Sequence, residues 1–339
     1  MSVFIQNKIW SVGDLLYLST DLCPVPILVR EPIVINLSYF FPLKNDETLP
    51  SSSMQSMCVL RAACAAYALA EYRKKVCSGQ LPVERYGSKE IPLCSSSFKY
   101  HLHSCRIPME NQDVFRMYDP SIFKHCVVAC RGQFFAMDIV NENDDPLPFK
   151  VIQNGLEQCI NLASQTPMSI PQLGFLTTTN RDVWAQNREL LIEAGGEEVM
   201  KSLEKIESSM ALICLDETTS CELEHCVPSF WYGGLGQYMN RWFDKPIQLL
   251  CQRSGSLAYM GEHSMLDGMP ASRLCDHIVD SKYEKLVKRS SDETGVPVIE
   301  DIFKNSNNRL LAHDRIAFAI EKGEKMCISV SSQSFLVHW

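Results

Sequence analysis

The 339-residue sequence predicts an α/β protein of the α+β type, a mixed sheet with helices on its flanks. Three observations carry that expectation. The chain is 46% hydrophobic and 21% charged, enough apolar residue to build a substantial core. Two pairs of β-rich runs are each joined by a short turn, and long helical patterns stand between and beyond them. The elements do not alternate in the βαβ rhythm of a doubly wound parallel sheet.

In chain order, the longest helical pattern is Met54–Cys77, MQSMCVLRAACAAYALAEYRKKVC. Leu60, Cys64, Tyr67 and the run from Leu69 to Tyr72 make most of one face apolar. The serines before it can supply an N-cap, and Arg73, Lys74 and Lys75 fall where a helix C-terminus favours cations. Residues 125–140 read as a hairpin turning at Arg131 and Gly132. Residues 177–196 open on Thr-Asn and close on Gly195-Gly196, the start and stop signals of a helix. Residues 210–216, MALICLD, read as a short buried strand. A second hairpin over 245–264 turns at Ser254-Gly255-Ser256, and its second strand runs out at His263. From Pro270 to about Arg289 the pattern is helical and charged. A further helix is expected over roughly 306–322 and a β-like run over 325–339.

Several function classes are disfavoured by composition. The net charge of −8 and a pI near 5.6 leave no electrostatic footprint for nucleic acid or an anionic membrane. No apolar stretch approaches 18 residues, so no transmembrane helix is expected. Neither end of the sequence carries a recognisable targeting signal. The 15 cysteines are odd in number and sit singly in apolar runs, as Cys64, Cys214 and Cys251 do. They read as small core residues in a reducing compartment rather than as a disulfide framework or a zinc site.

Chemistry is expected around His263. An imidazole at a strand end, with one ring nitrogen tied down, can take a proton from an alcohol or a thiol. Asp267 stands four residues on and Gly268 follows it. We read Asp267 as a brace that holds the loop through an arginine, and Gly268 as the point where the chain turns away. No second strong ligand is spaced with His263, since Glu262 is adjacent and His277 lies far along the next helix, so no metal is expected. The polar run NRDVWAQNREL reads as a helix held by packing and salt bridges. SCRIP (residues 104–108) and WYGG (231–234) read as backbone turns with aromatic packing, and NRWFDK (240–245) as the segment that positions the strand leading to His263. Cys105 and the other thiols have no partner base, so no thiol nucleophile is expected.

The stretch NRWFDKPIQLLCQRSGSLAYMGEHSMLDGMP, with SCRIP, YDPS, GQFFAMD, LGFLTTTNRDVWAQNRELL and WYGG in the same order, resembles the choline/carnitine acyltransferase family. The GEHSMLDG version is most similar to the fungal-type carnitine acetyltransferases of that family. The resemblance implies a chloramphenicol-acetyltransferase-like fold and reversible transfer of an acetyl or other short acyl group between coenzyme A and carnitine. It implies His263 as general base, with Asp267 and Gly268 supporting the site, acetyl-CoA as co-substrate and no permanently bound cofactor. It also implies a mitochondrial or peroxisomal enzyme.

The family's second half carries lysines for the coenzyme A phosphates, a cluster for the carnitine carboxylate and a Ser-Thr-Ser segment, and none of these is found in this sequence. We therefore expect residues 1–305 to form the histidine-bearing half and 306–339 to begin a truncated second domain. The isolated chain is expected to show negligible transfer, because an absent oxyanion stabiliser alone typically costs about a hundredfold or more. An unpaired final strand would favour self-association. The rival expectation is a catalytically silent remnant that acts only by binding.

Overall fold

A computed structural model describes residues 25–27, 33, 37–51, 53–93, 96–165, 173–219, 227–231, 233, 237–266 and 268–303. The helix and β-run expected beyond residue 305 lie outside the described residues, as does Asp267.

The elements begin with strands β1 (Val25–Ile27) and β2 (Ser38–Pro42) and helix α1 (Met54–Cys77). The short strands β3 (Arg85–Tyr86) and β4 (Ile91–Pro92) come next, then β5 (Ser104–Pro108), β6 (Asp113–Met117), β7 (His125–Cys130) and β8 (Gln133–Asp138). Helices α2 (Phe149–Ser164) and α3 (Arg181–Glu207) precede β9 (Leu212–Asp216), β10 (Gln248–Gln252) and β11 (Leu257–Glu262). Helices α4 (Gly268–Asp280) and α5 (Tyr283–Arg289) and strand β12 (Ile299–Asp301) complete the described chain.

The main sheet has seven strands in the order β12-β8-β7-β9-β10-β11-β2. Strand β9 runs parallel to both β7 and β10, and the other pairings are antiparallel. This is the mixed sheet with flanking helices that the sequence predicts. Strands β1, β6 and β5 form a separate three-stranded sheet.

Both faces of the main sheet are covered, which explains why its central strands read as apolar runs rather than as alternating patterns. Leu249, Cys251, Leu257 and Tyr259 join one core with α1, α2 and α4. Their neighbours Leu250, Ala258 and Met260 join the other core, with Trp184 and Leu191 of α3 and with Trp242. Both expected hairpins are present, and each turn uses the left-handed backbone its sequence suggests. Arg131 and Gly132 have φ of 52° and 71°, the two-residue turn that matches strand twist, and Gly255 has φ of 83°.

Helix α1 spans the residues expected, with Ser53 as N-cap accepting a hydrogen bond from the Ser56 amide. It is buried further round than one face: Cys58 through Ala70 are all buried, because β9 and β10 lie on one side and α2, α4 and α5 on others. The stop signal at Gly195-Gly196 marks a break rather than an end. Gly196 leaves the helical region (φ 61°, ψ −146°) and a second helical segment continues to Glu207. SCRIP, expected as a turn, is the fully buried strand β5. Nine of the ten described cysteines are buried and all ten are free. Burial pushes their thiols upward, to about 12 at Cys214.

Candidate active site

His263 is the residue after β11, and its side chain is exposed. The sheet still holds its backbone. The His263 amide donates to the Leu37 carbonyl at 2.7 Å, one step past the β2–β11 pairing that ends at Glu262 and Ser38. Its ring lies edge-on to Tyr39, with centroids 5.1 Å apart at 62°. Tyr39 packs in turn on Phe41 and Tyr259, at 5.4 and 6.0 Å between centroids.

Gly261, two residues before the histidine, makes that packing possible. A Cβ there would sit 2.7 Å from Tyr39 Cζ and 2.8 Å from its hydroxyl, well inside van der Waals contact. Tyr259 is fixed from below. Its hydroxyl donates to the Pro246 carbonyl at 2.9 Å and meets His101 Nε2 at 3.0 Å. Burial pushes His101 down to about 3, so its ring is neutral, and because the Tyr259 hydroxyl proton goes to Pro246, Nε2 is the donor of this pair.

The brace of the histidine loop is Glu262. Its Oε1 accepts from the Ser264 amide at 3.1 Å and its Oε2 from the Ser264 hydroxyl at 2.7 Å, so one carboxylate grips the residue after His263. Glu262 is buried, and Arg106 Nη1 meets it at 3.0 Å. Arg106 Nε reaches Asp113 Oδ2 at 2.6 Å, and Arg181 Nε reaches the same oxygen at 2.7 Å. Arg181 Nη1 stands 2.7 Å from Asp244 Oδ1, and Trp184 Nε1 donates to Asp244 Oδ2 at 2.7 Å.

A continuous buried chain, Glu262–Arg106–Asp113–Arg181–Asp244–Trp184, thus joins the end of β11 to β5, β6, the start of α3 and the segment before β10. Its two guanidinium groups face three carboxyl groups. Burial pushes Asp244 up to about 6 against the attraction of Arg181. At Arg181 burial opposes the charge, but Asp244 and Asp113 outweigh it and raise the pKa. A brace through an arginine was expected from Asp267; among the described residues it is Glu262 and Arg106 that make one.

The NRWFDK segment is tied down at almost every residue. Asn240 Oδ1 accepts from the Gly132 amide at 2.6 Å, and Arg241 holds Asp216 through two contacts of 2.8 and 2.7 Å. The Trp242 amide donates to Gln248 Oε1 at 3.0 Å. The Lys245 ammonium donates to the carbonyls of Ser104, Glu207 and Ser209 at 2.8, 3.0 and 2.7 Å, and burial pushes it down to about 8. This segment therefore locks the entry to β10, whose partner β11 leads to His263.

The remaining residues expected at the site fall into place unevenly. Gly268 is the first residue of α4, lies outside the left-handed backbone region and has open space where a Cβ would be. Trp231, from WYGG, donates its indole N–H to Ser38 Oγ at 2.7 Å, beside the strand that holds His263. Among the described residues no group of three or more His, Cys, Asp or Glu side chains is placed to hold a metal ion. No described helix is long and apolar enough to cross a membrane.

The described site is thus an exposed imidazole at a strand end of a mixed α/β sheet, backed by buried ion pairs. A sequence profile of the choline/carnitine O-acyltransferases matches residues 27–335, and the chain belongs to that family. It is 31% identical over 234 residues to carnitine O-acetyltransferase of Columba livia, a match covering 64% of this chain and 35% of that protein. It is 28% identical over 278 residues to the mitochondrial carnitine O-acetyltransferase of Saccharomyces cerevisiae, covering 77% and 40%. To choline O-acetyltransferase of Rattus norvegicus it is 29% identical over 248 residues, covering 68% and 37%. The chain therefore spans well under half the length of these relatives.

Proposed function

We propose that this chain is the histidine-bearing part of an O-acyltransferase that moves an acetyl or short acyl group between coenzyme A and carnitine, with His263 as general base. One observation carries the reading: His263 is presented at a strand end with its side chain exposed, its ring edge-on to Tyr39 and its backbone pinned on both sides, by Leu37 and by Glu262 through Ser264. That is the arrangement a reversible proton carrier needs, a mobile proton on an immobile frame.

In the forward direction a neutral ring nitrogen takes the carnitine hydroxyl proton as the oxygen attacks the thioester carbonyl. The C–O bond forms, the C–S bond breaks, and the proton passes from the imidazolium to the departing thiolate. The reverse reaction runs with the roles of oxygen and sulfur exchanged, so no covalent acyl-enzyme is required. Residues 1–305 would form the half that carries this base, and 306–339 would begin the facing half. The compartment we infer, mitochondrial or peroxisomal, leans on the resemblance and on the names of relatives.

The test places this chain, in exchange for the matching segment, within the S. cerevisiae relative. A folded chimaera should release coenzyme A from acetyl-CoA only when carnitine is present, and His263→Ala should lower that rate by about 10²- to 10⁴-fold. Equal rates with and without His263 in a folded chimaera would sink the proposal. The 339-residue chain alone should give negligible transfer.

A further inference from the structure

Alternate residues of a strand share a face, so Tyr259 and Gly261 of β11 and His263 just beyond it form one row. Tyr39, on the edge strand β2, stands directly opposite Gly261. Tyr259 and His263 are therefore its two diagonal neighbours, a separation that aromatic side chains can span. The glycine between them lets the phenol ring lie across the strand, in the manner of an aromatic residue covering a cross-strand glycine. Laid there, the ring packs on Tyr259 on one side and His263 on the other, and on Phe41 of its own strand.

The imidazole itself has no polar anchor of this kind. A catalytic histidine is usually oriented by a hydrogen bond at the nitrogen that does not do the chemistry, and the sequence led us to expect one here. Among the described residues no hydrogen bond reaches either ring nitrogen of His263. An exposed side chain without such a bond distributes over the three staggered χ1 wells. Tyr39 changes that distribution because it is itself fixed. Its ring is wedged over Gly261, and the Tyr259 ring beside it is held through Pro246 and His101. The well in which the imidazole meets the Tyr39 ring, at 5.1 Å between centroids, gains a contact that the other wells lack.

We propose that Tyr39 is the positioning residue of the site: its ring, laid over Gly261, holds the His263 imidazole in one rotamer, so that the base is oriented by aromatic packing. The effect on rate rests on the reading of His263 as general base; the orientation of the ring does not. A base must meet its proton within hydrogen-bond reach, and a displacement of about 1 Å can cost about a hundredfold in rate.

The first experiment needs no activity. In the 339-residue chain made with isotopically labelled histidine, the His263 signals are those lost in His263→Ala. Their χ1 couplings should report one dominant rotamer, and the ring protons should lie off their free-histidine positions through the ring current of Tyr39. Tyr39→Leu should average the couplings and return the ring protons to free-histidine positions, while Tyr39→Phe should keep the original pattern. Averaged couplings in the unaltered chain, or an unchanged pattern in Tyr39→Leu, would overturn the assignment. The unaltered chain decides even where Tyr39→Leu does not fold.

The second experiment uses the chimaera with the S. cerevisiae relative. Tyr39→Leu should lower kcat by about five- to fiftyfold with the KM for acetyl-CoA within about twofold, and Tyr39→Phe should stay within about twofold of the parent. A loss that falls on KM, or one that Tyr39→Phe shares, would overturn the positioning role. If His263→Ala leaves the chimaera's rate intact, the reading of His263 as base falls by itself, and the couplings still decide whether Tyr39 orients the ring.

Discussion

Replacing Arg106 by Met keeps most of the side chain's length while removing the charge that bridges Glu262 and Asp113. Arg106 is wholly buried and Glu262 is 1% exposed, so solvent cannot compensate for the loss. Breaking a buried pair from one side typically costs about 3–5 kcal/mol, because it strands the other charge. Asp113 keeps Arg181, so the stranded group here is Glu262, left among the described residues with the two Ser264 donors.

Glu262→Gln should cost less, about 2–3 kcal/mol, since Arg106 keeps Asp113 and the amide oxygen can still accept from Ser264. The double variant removes both charges together. Its cost should fall short of the sum by at least about 1.5 kcal/mol, within the range measured for residues in direct contact. Denaturant unfolding followed by circular dichroism reads the three values.

Hydrogen exchange separates local from global effects. In Arg106→Met the amides of His263 and Ser264 should exchange faster by a larger factor than those of β9, in the middle of the sheet. Additivity of the two substitutions within about 0.5 kcal/mol, or exchange accelerated equally in β9 and at His263, would refute the role given to this pair.

Acid should destabilise the fold below pH 6.5. Burial first, and for His103 Arg73 next, holds His101 and His103 near 3 in the folded chain. The unfolded chain takes those protons near 6.5, so stability is complete above that pH and declines as pH falls towards 3, by about 2 kcal/mol per histidine at pH 5. Asp244, raised to about 6, works in the opposite sense, favouring the folded state as pH falls below 6, and recovers only about 1 kcal/mol at pH 5; a melting temperature as high at pH 5 as at pH 7.5 would contradict this. Gly261→Ala should cost about 1–3 kcal/mol as Tyr39 is pushed aside, and should shift the His263 ring-proton resonances, whereas an unchanged spectrum would show that Tyr39 does not set the ring's surroundings.

The elements with local signals are legible in the sequence. Helix α1 has its serine cap and its apolar run, and both hairpins have glycine where the backbone turns left-handed. His263 stands out because a family signature surrounds it. The residues that hold it do not stand out. Arg106 sits inside SCRIP, a run short enough to pass for a turn, and its carboxylate partners are 7 and 156 positions away. The available signal was an arginine flanked by Cys105 and Ile107 in an apolar strand, a charge that burial makes intolerable without a paired carboxylate. Gly261 reads as one more strand residue until Tyr39, from a strand far earlier in the chain, is seen against it. The break at Gly196 was legible as a glycine pair, but whether the helix resumes beyond it depends on Val199, Leu203 and Ile206 packing on the far core.

The hydrogen bond from His263 to Leu37 carries a consequence for how the protein is made. Strand β2 leaves the ribosome roughly two hundred residues before β11, the strand it must pair with, and pairings so distant in sequence are the slow steps of folding. Through that interval Tyr39, Phe40 and Phe41 have no sheet to join, and an unpaired apolar strand is open to the wrong partner. The histidine acquires its position only when this last, longest loop closes. A slip of one residue there would turn Tyr39 to the opposite face and leave His263 without its anchor. Strand β2, made long before its partner, is therefore among the last elements to settle, and the site is finished by it.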